Sequence, residues 1–248
     1  MSTQETPERR TGEPAPVDHR HAWRWVATVI GVLVLGMVAG PWAYARWIAP
    51  DAPGPFALST PAPVEETEAP VDDPDDDVVE GTWVVGEGSQ AGYRLAEVLS
   101  GQPVTVVGRG SEVSGTVVVA GGQLVEAQIV VGVASISTDE SARDAYFRRA
   151  LDTSTYPEST FVLDTPVDLG PLASQGTAVE LQAVGTLTLR GVARQVTASL
   201  EVQRTADGVE VAGQVPLTLA DHGLTAPDLG SVTVEPTGSV ELHLLLTR

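Results

Sequence analysis

From residue 81 to the C-terminus, apolar and polar side chains alternate with a period of two rather than 3.6, the pattern of strands with one buried and one wet face. Val179, Leu181, Ala183, Gly185, Leu187 and Leu189 alternate with Glu180, Gln182, Val184, Thr186 and Thr188. The next run sets Val196, Ala198, Leu200 and Val202 against Thr197, Ser199, Glu201 and Gln203. Arg190-Gly191 marks a tight connection between these two runs, and Asp207-Gly208 predicts a hairpin turn into Val209, Val211, Gly213 and Val215. Further strands are predicted around residues 83–85, 104–107, 113–119, 124–133, 160–163 and 240–246. Several runs extend for about 12 residues, longer than is common, which suits a tilted barrel better than a small sandwich. The expected fold is therefore all-β, an antiparallel barrel.

One helix interrupts the strands. Ser137 followed by Glu140 makes a capping box with Asp139 adding negative charge, so the helix is expected from Thr138 to Ala150. Ala142, Ala145, Tyr146 and Arg149 or Ala150 fall on one face, and Pro157 blocks continuation.

Ahead of the barrel the pattern changes twice. No charge occurs between Trp25 and Ala45, and about 20 apolar residues at about 1.5 Å each span the roughly 30 Å of a bilayer's hydrocarbon core. Trp23 and Trp25 precede the run, and Trp42, Tyr44 and Trp47 follow or close it, as interfacial belts do. Arg9, Arg10, Arg20 and Arg24 lie before it and only Arg46 soon after, which places the N-terminus in the cytoplasm and the remainder outside. Residues 1–24 read as a disordered cytoplasmic tail, 25–45 as a single transmembrane helix, 46–80 as a proline-rich, acidic extracytoplasmic stalk, and 81–248 as the barrel. Ala43-Tyr44-Ala45 also resembles a signal-peptidase site, so secretion after cleavage near Ala45 is the alternative.

Composition removes several classes of function. The formal charge of −19 opposes nucleic-acid binding. The absence of cysteine removes disulfides, thiol catalysis and lipidated-cysteine anchors. His222 and His243 lack sequence-spaced ligand partners, and no nucleophile elbow or zinc-protease pattern is present. Gly86-Glu87-Gly88-Ser89-Gln90-Ala91 matches only the loosest dinucleotide pattern, with no βαβ unit after it. The expectation is a protein that is not an enzyme and carries no metal or cofactor.

The chain resembles the YceI-like family, exported lipocalin-like barrels associated with polyisoprenoid lipids. The resemblance runs from about Gly81 to the C-terminus. It is carried by Gly81-Thr82-Trp83, Ser135-Ile136-Ser137-Thr138, Arg143-Asp144, Tyr156-Pro157 with Ser159-Thr160-Phe161, and Gly185-Thr186-Leu187-Thr188-Leu189-Arg190-Gly191-Val192. Asp221-His222-Gly223-Leu224 is similar to the family's late turn. A histidine usual near the first strand is missing and another is replaced by Arg190, so head-group recognition by those histidines does not carry over. The resemblance implies a long apolar pocket for an isoprenoid or other long-chain lipid. Tyr93, Arg143, Phe147, Phe161 and Ala183 are the expected ligand-binding residues. Small inward side chains leave two alternatives: an open barrel that carries lipid, or a packed barrel serving as a protein-interaction or envelope-stress domain. The natural ligand and oligomeric state are not fixed by the sequence.

Overall fold

The computed structural model describes residues 52–60, 79–170 and 177–248. Among these residues, eleven strands and one α-helix follow in order: β1 (Gly81–Val85), β2 (Gln90–Leu99), β3 (Gln102–Gly110), β4 (Val113–Ala120), β5 (Gln123–Gly132), α1 (Ser141–Leu151), β6 (Glu158–Leu163), β7 (Val167–Asp168), β8 (Val179–Leu189), β9 (Val192–Arg204), β10 (Val209–Thr218) and β11 (Val232–Thr247). Every strand pair is antiparallel. Eight strands form a ring in the order β1, β4, β5, β6, β8, β9, β10 and β11, closed by pairing of β11 with β1. Beyond β1 the chain continues along β11 as β2, which carries β3 on its other edge.

The two-residue alternation determines which side chains enter the ring. Register places Leu181 opposite Leu200, Ala183 opposite Ala198, and Gly185 opposite Val196, so the predicted inward sets of β8 and β9 share one face. That face belongs to the core, with Ala183, Leu187, Ala198 and Val202 buried. The stretch 25–45 and the tail before it lie outside the described residues, and among the described residues no helix is long and apolar enough to cross a membrane.

The helix differs from its sequence prediction at both ends. α1 begins at Ser141 rather than Thr138, because Ser137 exchanges backbone hydrogen bonds with Arg109 and is held in the sheet. The expected Ser137–Glu140 box is therefore not formed. Glu140 caps the helix alone, its carboxylate accepting from the Ala142 amide at 3.1 Å. Asp144 reaches back to accept from the Thr138 amide and hydroxyl, both at 2.8 Å. At the other end Asp152 adopts the left-handed conformation and its amide donates to Arg148 and Arg149, which stops the helix well before Pro157. The inner face is also rotated from the expected one. Phe147 and Leu151, four residues apart, turn inward with Arg143, while Ala142, Ala145 and Arg149 are exposed.

Residues 52–60, expected to be part of a solvated stalk, lie against the outer wall of the barrel as a strap without regular secondary structure. Arg94 donates to the Pro53 carbonyl at 2.8 Å, Arg109 to that of Gly54, and Gln203 to that of Ser59 at 2.9 Å. Phe56 stacks on His243 with ring centroids 5.8 Å apart, and the Arg109 guanidinium sits 4.1 Å over the Phe56 ring. Beneath the strap, outward-facing Glu210 is buried and accepts from Ser59 (amide 3.1 Å, hydroxyl 2.9 Å), from Gln203 at 2.7 Å and from His243 at 2.7 Å.

Burial alone raises the Glu210 pKa, but these hydrogen bonds outweigh it and hold the carboxyl below its ordinary value. A depressed carboxyl contributes stability above its unfolded pKa that is lost as pH falls through the folded value. Deleting residues 52–60 from the full chain is thus expected to cost about 1 kcal/mol at neutral pH, with hydrogen bonds to a charged group lost but the carboxylate rehydrated. The difference should shrink below about pH 4, where glutamate protonates. Thermal midpoints of both chains across pH check it. A gap that stays constant with pH contradicts the role given to Glu210.

Candidate functional site

Two cavities occupy the inside of the barrel. The lower one, of about 120 Å³, is walled by aliphatic side chains from almost every strand of the ring, including Val117, Leu187, Val211 and Leu244, with Trp83 among its lining residues. Its only polar lining residues are Ser159 and Thr160, and none is charged. The upper one, of about 150 Å³, lies between α1, β2 and the 224–227 connection, and is lined by Arg143, Tyr146, Phe147, Leu151 and Leu224 among others. Ala91, Val131, Ser159 and Val240 border both cavities, which therefore adjoin. A cavity of roughly 150 Å³ accepts a molecule the size of benzene. Each chamber thus suits about one isoprene unit, and a longer chain must pass between these four side chains and move the walls apart.

Glycines let aromatic rings lie against the wall instead of blocking the bore. A methyl group placed on Gly185 would strike the Phe161 ring and, at 2.6 Å, the Val162 carbonyl oxygen. A methyl group on Gly108 would come within 2.5 Å of Tyr93 Cε1. With no side chain at either position, the rings of Phe161 and Tyr93 fill that space. Tyr93 stacks on Phe147 of α1 at 4.8 Å with the rings 16° apart, fastening the helix over the upper chamber.

The five residues expected from sequence all border this interior: Tyr93, Arg143 and Phe147 the upper chamber, Phe161 and Ala183 the lower. Sequence reasoning missed Glu97. It occupies the inward face of β2 after Ala91, Tyr93 and Leu95, is 6% exposed, and accepts from Arg143 Nη2 at 3.1 Å. Arg143 Nη1 donates to Asp139 at 2.8 Å. Alternation from Ala91 through Tyr93 and Leu95 was the available signal, masked because the preceding glycines read as a loop. Burial pushes the Tyr93 phenol up to about 12, partly opposed by Arg143, so it stays protonated at physiological pH. No metal-ligating cluster occurs among the described residues. His222 is buried with Nδ1 3.1 Å from the Val192 carbonyl oxygen, and His243 lies outside the barrel under the strap.

Comparison with known proteins agrees with this fold. The YceI-like domain model matches residues 84–246. Among solved structures, a polyisoprenoid binding domain from Saccharophagus degradans, implicated in plant cell wall breakdown, is 23% identical, with 68% of this chain and 98% of that chain covered and a TM-score of 0.54. Burkholderia cenocepacia BcnA is 20% identical over 63% of this chain and 96% of its own, with a TM-score of 0.49. The Campylobacter jejuni YceI protein is 16% identical over 57% and 84%, with a TM-score of 0.40. At these identities the first of them supports the fold. No curated protein matches the chain.

Proposed function

The chain belongs to the YceI-like family, and from that premise we propose that it binds lipid, holding a polyisoprenoid or similar long apolar molecule inside the barrel without transforming it. One observation carries this reading: an uncharged, aliphatic lower chamber adjoins, across four shared lining residues, a second chamber whose wall carries the half-buried Arg143 paired with the buried Glu97. Protein cores normally pack without voids much larger than a water molecule. Two adjoining cavities on the barrel axis favour a container over a packed core. An apolar chain entering it gains affinity by leaving water, at about 0.8 kcal/mol per methylene buried.

The proposal extends to location. The apolar run at 25–45, with arginines before it, tethers the domain to the membrane and presents it outside the cytoplasm. Protease added to intact cells then removes the domain; protection from it overturns the tether's orientation. Native mass spectrometry of the detergent-solubilised chain, followed by extraction, is expected to show a co-purifying lipid or uptake of added geranylgeraniol. Neither adduct nor uptake would transfer the function to the barrel's outer surface.

A further inference from the structure

The polar groups of the upper chamber specify more than a lipid tail. We infer that the head group admitted there is uncharged, a hydroxyl, carbonyl or amide, and that a phosphate or diphosphate is excluded. This rests on the lipid-binding reading above and adds the class of lipid.

The charge around the chamber argues it. Among the described residues Arg143 is the only cation lining either chamber, and its guanidinium is already committed. Nη2 donates to the buried Glu97 and Nη1 to Asp139. Asp144, on the same helix turn, adds a third carboxylate, held by Thr138. One positive charge against three carboxylates leaves the cluster negative, in a chain whose formal charge is already −19. A phosphate brought beside Arg143 must therefore displace Glu97. That carboxylate sits on the inward face of β2 and is 6% exposed, so taking Arg143 from it leaves a buried charge without its partner.

An uncharged head meets no such barrier. The Tyr93 hydroxyl keeps its proton as a donor, and none of the hydrogen bonds among the described residues engages it. Oxygens of Glu97 and the Thr225 side chain lie in the same lining. A lipid hydroxyl, quinone carbonyl or amide can thus exchange hydrogen bonds without disturbing the ion pair.

Farnesol and farnesyl diphosphate share one tail, so tail burial cancels and their affinity ratio reports the head alone. By isothermal titration of the full chain in uncharged detergent, farnesol is expected to bind at least tenfold more tightly. Glu97→Gln keeps the size and a hydrogen-bonding oxygen while freeing the charge of Arg143, and should shift the ratio at least tenfold toward the diphosphate. Glu126→Gln removes the same charge from an exposed outer position and should leave the ratio unchanged. Equal or tighter binding of the diphosphate by the unmodified chain overturns the inference while leaving lipid binding intact. An unchanged ratio in Glu97→Gln, or the same shift in Glu126→Gln, overturns it as well, since the preference then comes from the molecule's overall charge. Binding of neither probe removes the lipid-binding reading itself.

Discussion

Replacing Gly185 by alanine will destabilise the barrel by about 2 kcal/mol, within the usual cost of overpacking a filled site. The added methyl group has nowhere to go. One obstacle is the Phe161 ring, which can turn away only into the lower chamber; the other is the Val162 carbonyl oxygen, at 2.6 Å, which is backbone held in the β6–β8 ladder. Alanine's smaller unfolded-state entropy returns about 0.4–1 kcal/mol, too little to reverse the sign. For a domain of this size the loss corresponds to about 4–8 °C in the thermal midpoint. Lipid uptake should fall as well, because the displaced ring takes up space in the chamber. A midpoint that does not move would show that Phe161 is not seated against Gly185.

Two residues earlier on the same strand and face, a larger substitution should do less to stability and more to binding. Ala183 is 1% exposed yet borders the lower chamber, so its side chain is shielded from water without being enclosed on every side. Leucine at this position projects into the cavity, and the stability change is expected to stay below about 1 kcal/mol, against the 1–3 kcal/mol typical of a packed core. Binding of geranylgeraniol should weaken more than tenfold, since the new side chain occupies volume the lipid needs. Thermal melting and lipid titration of Ala183→Leu decide it. Strong destabilisation, with no lipid recovered from either form, would identify a packed barrel and leave surface recognition as the function.

How much of this was legible in the sequence depended on whether a contact left a side-chain pattern. β8 and β9 were readable almost residue by residue, because inward aliphatics and outward polar groups alternate without interruption from Val179 to Leu189 and again from Val196 to Val202. β2 was not, since it follows Gly86 and Gly88 and its inward series ends on a carboxylate, Glu97, where a hydrophobic residue is expected. The helix start was displaced because Ser137 serves the sheet through its backbone, a choice the capping signal cannot reveal. The strap was invisible for a related reason. Its attachment runs largely through carbonyl oxygens of Pro53, Gly54 and Ser59, which every sequence possesses, and only Phe56 offers an apolar side chain worth noticing. Burial of Glu210 and Gln203 on the outward face follows from that cover, and no periodicity of β9 or β10 forecasts it. Tyr93, Phe147, Phe161 and Ala183 were reachable because aromatic and small inward positions are conspicuous, and Arg143 because it stands on the helix expected to close the barrel, whereas its partner Glu97 needs the register of β2.

β11 touches three neighbours, with β10 along one edge and β2 then β1 along the other. Among the described strands it is also the last in chain order. Until residues 232–247 are available, β10, β1 and β2 each present a row of unpaired amides and carbonyls, the kind of edge that recruits other chains. Ring closure therefore waits until residues 232–247 have been made, and joining β1 to β11 spans nearly the whole domain sequence, a contact of the slow, non-local sort. A nascent or truncated chain ending before Val232 is an open sheet and prone to aggregate, whereas the arrival of β11 covers the edges of β10, β1 and β2 in one pairing step and leaves β3 as the outer edge.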